Sequence, residues 1–156
     1  SDVCSSDLLY IMSTGLIIAL SITVVFIGMI IINYRKMKNM PDVKSSAKIK
    51  NLNAKNFKTQ TKSGLVLVDF WAPWCGPCKM MNPVLNDLAE SVDDDVTVAK
   101  LNVDQNQPVA KKSKVKSIPT MILFKDGQEI KRYVGAKTKK FLMNEIQKAG
   151  QAGIPD

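Results

Sequence analysis

The chain has no histidine and only three cysteines among its 156 residues. Without histidine there is no imidazole to serve as general base or metal ligand. A structural zinc site takes about four ligands, and beyond Cys75 and Cys78 only Cys4 is left to contribute sulfur. Aromatics are not interleaved with the lysines, as a nucleic-acid platform would need. Charge is missing from a whole region: Leu8 to Ile32 carries none.

That uncharged region is the first informative feature present. Gly15 to Ile32 reads GLIIALSITVVFIGMIII. About eighteen helical residues rise about 27 Å, close to the hydrocarbon thickness of a bilayer. A buried core helix would show a polar stripe, and this run has only Ser21, Thr23 and small glycines. A cleaved signal peptide fits less well, because no basic residue precedes the run and no small-x-small site follows it. The expectation is a transmembrane helix over residues 9–34. Arg35, Lys36, Lys38 and Lys44 follow it and no lysine or arginine precedes it, so the positive-inside bias puts the C-terminal side in the cytoplasm. Residues 35–46, with Pro41 as a breaker, read as a basic juxtamembrane linker, and 151–156 as a tail. Residues 1–8, SDVCSSDL, are similar to the translation of the end of a common sequencing adapter, and are expected to be non-native.

The rest of the chain is long enough for one compact core and carries most of the net charge of +8. Lys111, Lys112, Lys114 and Lys116 are the densest basic group, read as a solvated face in preference to an anion-binding patch. AKIKNL suggests a first strand, and Asn53 the cap of a short helix that Gly64 ends. LVLVDFW is an apolar run with one acid, as in a central strand buried on both faces. Met81, Val84, Leu85, Leu88 and Val92 recur at helical spacing, with Pro83 inside. VTVAKLNVD is a second central strand, and Pro108 starts a short helix. TMILFKDGQEIKRYVG reads as a hairpin turning at Asp126-Gly127. Thr138 opens a last helix with Phe141, Leu142, Ile146 and Ala149 inward. The order β-α-β-α-β-α-β-β-α predicts a mixed sheet between helices, an α/β fold.

Cys75 and Cys78 lie in WAPWCGPCKM, between the acid-bearing strand and the next helix. Cys75 then falls at a helix N-terminus, where unpaired N–H groups and the dipole stabilise a thiolate without help from histidine. Cys78, one turn on, is spaced to attack a mixed disulfide formed at Cys75. Gly76 permits the close turn, and Pro77 is tolerated in the first turn. Trp71, Pro73 and Trp74 are expected to shield the pair. A permanent clip across two residues closes too small a loop to stabilise much, which favours a redox-active disulfide.

The series VDFWAPWCGPCKM, VAKLNVDQN, SIPT, LFKDGQ and VGA, in that order, resembles the thioredoxin family over residues 47–150. The resemblance implies the thioredoxin fold, no cofactor, and reversible dithiol–disulfide exchange that reduces protein disulfides. The Gly-Pro pair is the one associated with reducing members. By the same resemblance Cys75 is the nucleophile and Cys78 the resolving cysteine. Asp69 is a buried proton acceptor for Cys78, with Lys100 beside it. Trp74, Gly76 and Pro77 form the active-site turn, and Ile118, cis-Pro119 and Gly135 line the substrate groove. Ser117 stands where a glycine is common. The partners implied are disulfide-containing proteins and a thioredoxin-reductase-like electron donor, with no nucleic acid. The leading reading is a membrane-held protein-disulfide reductase facing the cytoplasm. The alternatives are the opposite orientation, serving exported or cytochrome-maturation substrates, and a non-catalytic module that binds partners through the Pro119 groove.

Overall fold

The computed structural model describes residues 3–38 and 44–151, with side chains described over 14–35 and 44–151. Residues 39–43 of the linker, with Pro41, the side chain of Cys4 and most of the 151–156 tail lie outside the described residues. The chain divides into two units, Ser1–Asn39 and Met40–Asp156.

The first unit is helix α1, Val3–Lys38. Its stretch Thr14–Arg35 is long and apolar enough to cross a membrane. The two hydroxyls within the apolar run are satisfied inside the helix: Ser21 Oγ donates to Ile17 O and Thr23 Oγ1 to Leu20 O, both at 2.8 Å. Neither hydroxyl then needs water, which an apolar solvent could not supply.

The second unit is a five-stranded mixed sheet, β1 (Lys50–Leu52), β2 (Leu65–Trp71), β3 (Val96–Asn102), β4 (Thr120–Lys125) and β5 (Gln128–Val134), in the order β1-β3-β2-β4-β5. β1 and β2 run parallel to β3, whereas β2–β4 and β4–β5 are antiparallel. The helices are α2 (Phe57–Gln60), α3 (Gly76–Ser91), α4 (Gln107–Lys112) and α5 (Lys139–Gln151). Period-two alternation sorts the strand residues into two cores. Leu65 and Leu67 of β2 join Val98, Met121 and Leu123 against Met81, Leu85 and Leu88 of α3 and Leu142 and Ile146 of α5. Val66, Val68 and Phe70 join Ala99, Leu101, Ile122 and Phe124 on the other face, where Phe57 of α2 packs. Each fully buried Leu, Val or Phe here contributes about 1.5–3 kcal/mol.

The same alternation puts Asp69 on the α3 side with Leu65 and Leu67, and Lys100 on that side with Val98. The two are register partners in the parallel β2–β3 ladder. Asp126 (φ 49°) and Gly127 (φ 87°) both take left-handed conformations at the hairpin turn, as its sequence predicts.

Local expectations shift in three places. The first strand is limited to Lys50–Leu52. Asn53 does not cap α2; its Oδ1 accepts from the N–H groups of Lys55 and Asn56, building a turn before the helix, and Asn56 holds the N-cap position. Phe141 is 38% exposed at the domain edge, stacked edge-on against Tyr133 with centroids 5.3 Å apart, while Leu142, Ile146 and Ala149 are buried as expected.

Candidate active site

Strand β2, central in the sheet, ends at Trp71, and α3 leaves from Gly76, so the cysteines occupy the strand-to-helix corner. Cys75 is the N-cap of α3, with extended backbone at φ −84° and ψ 104°. Its sulfur accepts the Cys78 backbone N–H at 3.2 Å, meeting one of the donors that a helix start leaves unpaired. Cys75 and Cys78 are joined by a disulfide with S–S 2.08 Å. Both are buried, packed with Ala72 and against Trp71, Val103 and Ile118. Gly76 and Pro77 occupy the first turn of α3, where a proline's missing N–H has no intrahelical partner to lose.

Two further segments reach this corner. The Ile118–Pro119 bond is cis, and Ile118 lies against the cysteine cluster. Gly135, at φ 79°, donates its N–H to Pro119 O at 2.8 Å, extending the β4–β5 ladder beside the cysteines. A left-handed φ with no neighbour within 4 Å of a built Cβ makes backbone conformation the reason for glycine there.

Asp69 and Lys100 lie side by side on the face of the sheet that α3 covers. Asp69 is fully buried, and neither carboxylate oxygen accepts a hydrogen bond. Burial pushes its carboxyl up from 3.8 to about 7, and the nearby positive charge of Lys100 opposes the rise. Lys100 is itself buried. Its ammonium donates to Asn82 Oδ1 and lies 4.4 Å from the centroid of the Trp71 ring. The sequence-derived pairing of Lys100 with Asp69 is therefore electrostatic and through register, with the hydrogen bond going elsewhere.

Of the residues expected to shield the pair, Trp71 packs against it, while Pro73 and Trp74 are exposed, Trp74 at 68% with its Nε1 donating to Asp104 Oδ2 at 2.9 Å. Sequence reasoning missed Asn82 and Asp104. Asn82 had one available signal: a polar residue at an inward position of an otherwise apolar helix face. The lysines 111, 112, 114 and 116 are exposed, consistent with a solvated face.

The thioredoxin family model matches residues 48–148. Thioredoxin of Mycobacterium bovis is 54% identical over 109 residues, covering 69% of this chain and 93% of its own. The bifunctional thioredoxin reductase/thioredoxin of Mycobacterium leprae is 57% identical over 81 residues, covering 52% of this chain and 18% of its own. Among solved structures, a single-site mutant of thioredoxin from Halobacterium salinarum superposes with a TM-score of 0.62 at 33% identity, over 72% of this chain and 99% of that one. A disulfide at the N-terminus of α3, on a mixed sheet of this order and with relatives of this likeness, makes the chain a member of the thioredoxin family of protein-disulfide oxidoreductases.

Proposed function

We propose that the protein reduces disulfides of other proteins through Cys75 and Cys78 while α1 holds it in a membrane. The observation that carries the reading is the Cys75–Cys78 disulfide at the start of α3, with an unbonded carboxyl buried in the strand that leads to it. In the reduced protein the Cys75 thiolate, stabilised by the helix start, attacks one sulfur of a substrate disulfide. The substrate S–S bond breaks and the departing sulfur takes up a proton. Asp69 takes the proton from Cys78, whose sulfur then attacks Cys75. The mixed disulfide breaks, the second substrate thiol is released, and two electrons have passed from the dithiol to the substrate. Ile118, Pro119 and Gly135 offer the backbone edge along which substrate would lie, and Trp74 an exposed aromatic face beside it. A thioredoxin-reductase-like donor returns the electrons, a partner consistent with the relative in which the two activities share one chain.

The anchor reading rests on Thr14–Arg35, and the cytoplasmic placement on Arg35, Lys36, Lys38 and Lys44. Full-length Cys75→Ser, assayed in detergent with a dithiol reductant and insulin, is expected to fall to the background rate. Cys78→Ser is expected to accumulate mixed disulfides through Cys75. Retained turnover in the first variant, or adducts at neither cysteine in the second, sinks the mechanism. A fluorescent protein fused after Asp156 is expected to glow and a periplasmic phosphatase there to stay inactive; the reverse pattern moves the domain to exported substrates.

A further inference from the structure

We propose that Asn82 is a positioning residue for disulfide exchange: with the Trp71 ring it holds the Lys100 ammonium, so that the cation stands beside Asp69 in the sheet without hydrogen-bonding to it. This rests on Asp69 being the proton acceptor for Cys78. Asn82 lies four residues after Cys78, one turn along the same side of α3. It is 3% exposed, and a buried amide is costly unless it finds a partner. Its Oδ1 accepts from Lys100 Nζ. The bond spans α3 and β3, reaching the strand position that is in register with Asp69.

Lys100 has three donors on a flexible stem and a carboxylate as register partner, so a direct charge-assisted bond to Asp69 is the obvious arrangement. The structure holds another: Lys100 goes to a neutral acceptor and an aromatic face, while both Asp69 oxygens accept nothing. The lysine's charge still acts on Asp69, though it is outweighed by burial. An acid in this state gains and loses a proton near neutrality, as a group that relays one must. A direct ion pair would keep it ionised and make it a weaker base. The register neighbours of Asp69 are Lys100 on β3 and apolar Met121 on β4, and α3, which packs on this face of the sheet, buries Cys78, Met81, Asn82 and Leu85, none of them charged. Of the described residues, Lys100 is the charged group that acts on it.

The test uses the full chain in detergent micelles, oxidised so that the cysteines do not titrate, with the Asp69 carboxyl carbon followed by 13C NMR. Asn82→Ala removes one acceptor from the ammonium, letting it turn toward Asp69, and is expected to lower the Asp69 midpoint by about one pH unit or more, the size an adjacent cation produces. Asn82→Leu, close in size and without an acceptor, carries the same expectation if the alanine variant does not fold. In a Lys100→Met background either change is expected to leave the midpoint where Lys100→Met alone puts it. The rate of Cys78 attack on a trapped Cys75 mixed disulfide, measured against pH, is expected to show its acid limb shifted by the same amount. An unmoved midpoint in both variants, or an equal shift without Lys100, overturns the proposal. A shifted midpoint with an unmoved rate limb leaves the positioning intact and overturns Asp69 as proton acceptor.

Discussion

Helix α1 and strand β2 are both apolar runs, yet they solve opposite problems. From Leu16 to Ile32 the large side chains of α1 remain roughly half exposed or more, whereas Leu67, Val68, Asp69 and Phe70 of β2 expose nothing. A helix closes its backbone hydrogen bonds within itself, so it can present an apolar surface on all sides to lipid. A strand leaves its N–H and C=O groups to neighbours, so β2 exists only between β3 and β4. That enclosure is also what raises the carboxyl of one acid in β2 to about 7, since burial outweighs the attraction of Lys100.

The sharpest way to break the comparison is to put a carboxylate into each run. Val68→Asp, in the cluster with Phe70 and Leu101, is expected to unfold the redox domain, since an unpartnered buried charge exceeds about 4 kcal/mol. Val25→Asp is expected to leave insulin reduction in detergent within about twofold of the parent, while costing about 3 kcal/mol of membrane insertion. Carbonate extraction reads the second effect, and circular dichroism with the activity assay reads the first. Activity lost equally in both variants would mean that α1 supports the redox domain's fold.

Next in size is the acid that β2 already contains. The folded Asp69 carboxyl titrates near 7 and the unfolded one near 3.8, so the folded state binds more protons between those values. Its contribution to stability is fully present below 3.8 and is lost as pH rises to about 7. The stability of Asp69→Asn relative to the parent is therefore expected to increase by about 4 kcal/mol from about pH 4 to about pH 8 and to stay level above. Thermal melts of the oxidised chain across that range measure it; a gap independent of pH would mean that the carboxyl is not held in its neutral form.

The smallest effect separates glycines. A Cβ at Gly28 or Gly135 meets nothing within 4 Å, but Gly135 has φ 79° and Gly28 is in a helix. Gly135→Ala is expected to cost about 1–2 kcal/mol through backbone strain alone. Gly28→Ala is expected to be neutral or slightly favourable for α1. Equal melting temperatures for Gly135→Ala and the parent would show that the left-handed turn is not required.

The sequence by itself determined what repeats locally or clusters in short motifs. Residues 65–71 are an uninterrupted apolar run with one acid, and β2 occupies those residues. Asp126-Gly127 specifies its own turn because few other pairs accept two left-handed conformations. The uncharged length of α1 and the order Trp-Cys-Gly-Pro-Cys, Ile-Pro, Gly were equally legible. Tertiary structure decided what depends on partners far along the chain. The strand order β1-β3-β2-β4-β5 brings Lys100 beside Asp69, and only the packing of α3 over that pair brings Asn82 to the ammonium. Trp74 was expected to shield the pair, and only the fold shows that its indole N–H donates to Asp104, thirty residues on. Phe141 has the spacing of an inward residue, yet it stays partly exposed with Tyr133 edge-on against one side of it. Periodicity says which face a residue occupies; how far its neighbours extend, and which partner a long polar side chain selects, are set by the folded surroundings.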